Sequence, residues 1–139
     1  MINRRELCSA LPFVALASSW AANEQVLSSA SFSFDELPQK KAEGHTIRPV
    51  VQGRFATGEH VEVHETTLDP GATPHAPHRH SHSEFWLIRE GTVEITIKDR
   101  TYRLGPGGVG LATQNDLHGI KNVGDTPAQY FVVEIGARS

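Results

Sequence analysis

The sequence has a single cysteine, Cys8, so no disulfide can form within the chain. It has no basic stretch beyond short pairs such as Lys40-Lys41. Its 13 Lys and Arg face 16 Asp and Glu, a net charge of −3. That balance excludes the electrostatic footprint of a nucleic-acid binder. No apolar run reaches the roughly 20 residues that a bilayer-spanning helix needs. No phosphate-binding loop and no second block of composition are visible, and 139 residues are most economically one domain with a real core. After residue 46 no stretch keeps a helical period over about ten residues. What the chain does have is turn formers, 12 glycines and 8 prolines, together with 8 histidines. The turn formers point to an all-β chain.

The first residues, MINRRELCSALPFVALASSWAANEQ, place Arg4 and Arg5 before a short apolar run and small residues near Ala21. This is the three-part pattern of an export signal. The paired arginines resemble a twin-arginine signal, with general secretion and an N-terminal helix docked on the domain as alternatives. The expectation is a signal peptide over residues 1–22 and a periplasmic or extracellular protein without a membrane anchor after cleavage. If the segment is not a signal, the expectation becomes a cytoplasmic protein. Residues 23–46 read as a linker and arm, in which Phe32 and Phe34 pin to the domain as an edge strand. Residues 47–139 read as the folded unit.

Within that unit, runs rich in Val, Ile, Thr and Phe alternate with Gly, Pro and Asp turns. The runs are 47–51, 54–57, 60–68, 84–90, 92–98, 100–104, 109–113, 117–122 and 128–135. HVEVHETTL and TVEITIK show the two-residue period of half-buried strands, and KDRT reads as a tight hairpin turn. Short strands with tight turns suggest a sandwich or small barrel.

Four of the histidines and a glutamate fall in one window, PHAPHRHSHSE, from His75 to Glu84. His78, His80, His82 and Glu84 share parity, as does Trp86 beyond them, so an extended chain turns them to one face. An unpaired carboxylate inside an apolar barrel costs several kcal/mol. A divalent ion held by neutral imidazoles and one carboxylate resolves that conflict.

Gly71, His78-x-His80, Glu84 and Gly91 resemble the first motif of the cupin superfamily, specifically its small single-domain, conserved-barrel members. His118 and Asn122 in DLHGIKN resemble the end of the second motif, which nominally starts at Gly107. In that motif Thr113 and Asn115 stand where proline and glycine are usual, although asparagine tolerates the left-handed turn. The resemblance covers roughly residues 47–135 and implies a double-stranded β-helix (jelly-roll) barrel. It implies His78, His80, Glu84 and His118 as metal ligands, with iron(II) or manganese(II) favoured and zinc, nickel or copper also compatible. His82, Trp86, His64 and Asn122 are candidates for the pocket or for support behind the ligands. His64 is equally compatible with facing solvent. His75 reads as a loop histidine, His45 and His60 as surface residues, and Arg89 and Glu90 as solvated. Pairing into a homodimer through edge strands is a further implication of the resemblance.

Fold alone does not specify a reaction. One expectation is a metal-dependent enzyme, an oxygenase or a lyase or isomerase, acting on a small oxygen-rich or aromatic molecule. A second is a non-catalytic exported module that grips a carboxylate or sugar through the same metal. A third is a scaffold with a structural metal, which the vacant coordination positions disfavour because structural sites tend to be closed.

Overall fold

The computed structural model describes residues 25–137, so the expected signal peptide over residues 1–22 lies outside the described residues. Among the described residues no helix is long and apolar enough to cross a membrane. A short 3-10 helix, Phe34–Glu36, precedes nine strands. These are β1 Lys40–Ala42, β2 His45–Arg54, β3 His60–Leu68, β4 Ser83–Glu90 and β5 Val93–Ile97. They continue as β6 Arg100–Leu104, β7 Val109–Ala112, β8 His118–Asn122 and β9 Ala128–Gly136. They form a six-stranded sheet in the order β1-β2-β3-β9-β4-β7 and a three-stranded sheet in the order β6-β5-β8. All pairings between these strands are antiparallel.

Directly opposed residues of antiparallel strands share a face. The register therefore sorts the inner face of the large sheet into rows. One row runs Glu62, Glu134, Glu84 across β3, β9 and β4, the next His64, Val132, Trp86, and the third Thr66, Tyr130, Ile88. Leu68 and Ala128 close the series. The small sheet adds Val93, Ile95 and Ile120, and these buried groups make one apolar cluster with Trp86, Ile88, Tyr130 and Val132. Burying each large apolar side chain contributes about 1.5–3 kcal/mol.

Two expected strands, 47–51 and 54–57, are a single strand followed by a turn. Pro49, which has no N–H for the ladder, sits where the β2–β3 register shifts. Residues 55–58 form the turn: Phe55 N–H donates to Glu59 O at 2.9 Å, and Gly58 takes φ 112°. The KDRT hairpin turn is as expected, with Lys98 at φ 56° joining β5 to β6.

The arm also differs from expectation. The edge strand is Lys40–Ala42, not the segment around Phe32 and Phe34. Phe32 is half exposed, whereas the Phe34 ring lies under two guanidiniums, Arg48 at 4.9 Å and Arg89 at 4.5 Å. A cation over a ring face holds this segment without any ladder. Arg89 is exposed, as read from sequence, while its guanidinium also covers the Phe34 ring. Arg48 also donates to Glu65 at 2.8 Å, which allows that fully buried carboxylate to remain on the outer face of the sheet.

Candidate metal centre

The loop before β4 and the first residue of β8 are joined by their backbones. His78 and His118 exchange N–H···O bonds of 3.0 Å in both directions. A second tie, Asn115 N–H to His80 O at 2.8 Å, fixes the next turn. Asn115 has φ 63°, the left-handed conformation expected at that motif position. These ties bring segments forty residues apart in sequence to one place. The ring centres are 4.8 Å apart for His78 and His118, 4.6 Å for His80 and His118, and 5.2 Å for His78 and His80.

Glu84 reaches this group from the inner face of β4. Its Oε2 lies 2.8 Å from His80 Nε2 and 3.5 Å from His118 Nε2. One ligating atom from each of His78, His80, Glu84 and His118 falls within 4.8 Å of all the others. Ligands about 2.1 Å from a common ion lie at most about 4.2 Å apart, so only a small contraction is needed. These four residues are the set implied by the motif resemblance, and the fold brings all of them together.

The tautomers carry the argument further. His80 Nδ1 is 2.9 Å from His82 O, and His118 Nδ1 is 2.8 Å from Asp116 O. A carbonyl only accepts, so in each ring Nδ1 carries the proton and donates it. In the neutral tautomer that leaves both Nε2 lone pairs directed at one carboxylate oxygen. Acceptors facing acceptors repel unless a proton or cation stands between them. His118 Nε2 and His78 Nδ1 are buried with no hydrogen-bond partner. Backbone carbonyls behind imidazoles are the usual way a protein orients metal ligands. The donor set fits a divalent transition ion.

Beside the cluster is a cavity of about 160 Å³. Trp86, fully buried, packs its ring 5.4 Å from His118 and lines this cavity, as its parity suggested. His64 also lines it, 3.7 Å from Glu62, and burial pulls its pKa below the usual value. Burial likewise lowers the pKa of His78. His82 is stacked on His80 with ring centres 3.6 Å apart, and its Nε2 is 2.9 Å from Glu134 Oε2 without hydrogen-bond alignment. It belongs to a second group, which shares Glu84 with the first and adds Glu134. His75, in the approach loop, packs edge-on against His78 at 4.3 Å.

Two residues sit elsewhere than read from sequence. His45, read as a surface residue, is partly buried at the start of β2 and lines the cavity. Asn122 does not line it. Its side chain donates to Leu68 O and Thr126 O, each at 2.8 Å, and accepts from Gly124 N–H at 2.9 Å. It ties the end of β3 to the loop between β8 and β9, because four residues beyond His118 the strand has reached the far end of the barrel.

Glu134, Tyr130 and Thr66 also line the cavity and escaped the sequence reading. Burial, reinforced by Glu84 and Glu62, raises the Glu134 pKa to about 7. A signal was available, since Ala128, Tyr130, Val132 and Glu134 alternate along AQYFVVEIG.

A family profile described as Cupin domain matches residues 64–134, just over half of the 139 residues. The chain is a cupin. L-ectoine synthase from Bordetella parapertussis is 38% identical over 56 residues, 40% of this cupin and 43% of the relative. The chain thus spans less than half the length of that curated relative. KdgF from Halomonas sp. superposes with TM-score 0.66 at 19% identity, covering 77% of this chain and 94% of the other. An RmlC-like cupin from Shewanella frigidimarina gives TM-score 0.65 at 19% identity, covering 80% and 95%. At these identities the structural likeness shows the fold alone.

Proposed function

We propose that this cupin binds one divalent transition ion through His78, His80, Glu84 and His118 and acts as a metal-dependent enzyme on a small oxygen-rich or aromatic molecule. The observation that carries this reading is the pair of imidazole Nε2 atoms, each ring oriented by a backbone carbonyl at Nδ1, that converge on one oxygen of the Glu84 carboxylate. Iron(II) or manganese(II) suits three nitrogens and one oxygen with positions left over. When bound, such an ion polarises a substrate oxygen or activates dioxygen. The cavity opens directly beside the four residues and supplies a place for substrate. Trp86 presents an apolar wall that holds a substrate against the cluster, and Glu134, which lines the cavity 2.9 Å from His82 Nε2, can hold a proton. The partial likeness to an enzyme, L-ectoine synthase, supports catalysis over a purely structural metal. We further propose export, on the strength of the signal-like residues 1–22.

Elemental analysis of purified protein, followed by oxygen-uptake and product assays with catechols, flavonols and diketones, tests the reading. It predicts one ion per chain and turnover that disappears on chelation. A protein that takes up no ion contradicts the metal assignment. Tight ligand binding without turnover would make the cupin a binding module instead.

A further inference from the structure

Tyr130 lies on the inner face of β9, lines the cavity and is 1% exposed. Its hydroxyl has no hydrogen-bond partner. Thr66, its opposite number on β3, lines the same cavity and brings its hydroxyl near the phenol, close enough to offset part of the effect of burial but without a well-formed hydrogen bond. Proteins rarely leave a buried hydroxyl unpaired, because its lost hydration is not repaid. Burial pushes the Tyr130 phenol above its usual range, so it stays an O–H donor. A cavity of about 150 Å³ holds a benzene-sized molecule, so about 160 Å³ admits roughly six to eight heavy atoms. No lysine or arginine is among the described residues lining it, and Glu134 adds a further carboxyl. A second anionic group on the ligand would therefore have no fixed counter-charge.

We propose that the ligand is a compact monoanionic hydroxy acid whose acid group meets the four-residue cluster and whose neutral hydroxyl accepts a hydrogen bond from Tyr130, next to Thr66. This rests on the metal reading above and narrows it to one substrate class. Tyr130 is then the residue that selects for the hydroxyl, since a site built to hydrogen-bond a group discriminates against analogues lacking it.

The test is calorimetric titration of manganese-loaded protein with lactate, 3-hydroxybutyrate, butyrate and succinate, alongside Tyr130→Phe. The hydroxy acids should bind about tenfold more tightly than butyrate or succinate. Tyr130→Phe should abolish that preference while keeping the manganese content. Its melting temperature should be unchanged or higher, because the hydroxyl has only the weak contact with Thr66 to lose. The inference is overturned if the preference survives in Tyr130→Phe, if no panel member binds loaded protein, or if the variant melts lower. Wild-type protein that takes up no manganese sinks the metal reading itself, and this narrowing with it.

Discussion

The two ends of the barrel interior are built by the same strands and differ only in what those strands carry. Along the inner face, β4 reads Glu84, Trp86, Ile88; β3 reads Glu62, His64, Thr66, Leu68; and β9 reads Glu134, Val132, Tyr130, Ala128. Each passes from polar to apolar in the same direction. At one end Leu68, Val93, Ile95 and Ala128 are fully buried and hold the sheets together. At the other, carboxyls and imidazoles crowd a cavity that none of the described residues fills. One end supports the fold, and the other is supported by it. Stability and function should therefore separate along the barrel axis.

The sharpest break of that comparison is at the polar end. Glu84→Gln should weaken metal binding by more than about a hundredfold, since even the groups behind the ligands are worth 10–100-fold. The melting temperature of the metal-free protein should hold or rise, because a carboxylate wedged beside Glu134 has been removed. Titration with a chromogenic competitor, paired with a melt, checks both. At the apolar end, Ile95→Ala should cost about 2–5 kcal/mol in denaturant unfolding. It should leave one ion per folded chain.

Asn122→Ala sharpens the boundary between the ends. The three hydrogen bonds of Asn122 make the expected loss about 2–3 kcal/mol with unchanged metal affinity. A large drop in affinity would return Asn122 to the site.

Linkage gives a subtler expectation at the polar end. The folded Glu134 pKa is about 7 against an ordinary 4.5, so between these values the folded state holds a proton that the unfolded chain has released. Its contribution is then present at low pH and lost as pH rises towards about 7. The stability of Glu134→Gln relative to wild type should grow over that window in chelator-stripped protein. A difference that stays flat with pH would mean that Glu134 is not held in its protonated form. The smallest effect belongs to the arm: Phe34→Ala, which removes two guanidinium–ring contacts, should cost about 1 kcal/mol and leave the site untouched.

The family and the four clustered residues were legible because the motif encodes backbone geometry as well as ligands. Gly71, Gly91 and Gly107 all take positive φ, at 76°, 79° and 82°. A Cβ on Gly91 would also lie 2.7 Å from Ala128. Trp86 was legible from parity. Glu134 and Tyr130 were not singled out, because their importance comes from which strand lies beside which. The adjacency of β9 to β3 and β4 joins segments far apart in sequence, and no local period announces it. His45 was misjudged because no local pattern shows that the start of β2 borders the cavity. Asn122 was misassigned because a shared motif position does not mean a shared end of the barrel.

The most direct test of the metal centre is a crystal structure of manganese-loaded protein with the ion located by anomalous scattering. The account predicts one ion about 2.0–2.3 Å from a nitrogen of each of His78, His80 and His118 and from a carboxylate oxygen of Glu84. An ion bound elsewhere, or a His118 ring turned away from an ion held by the others, would contradict it.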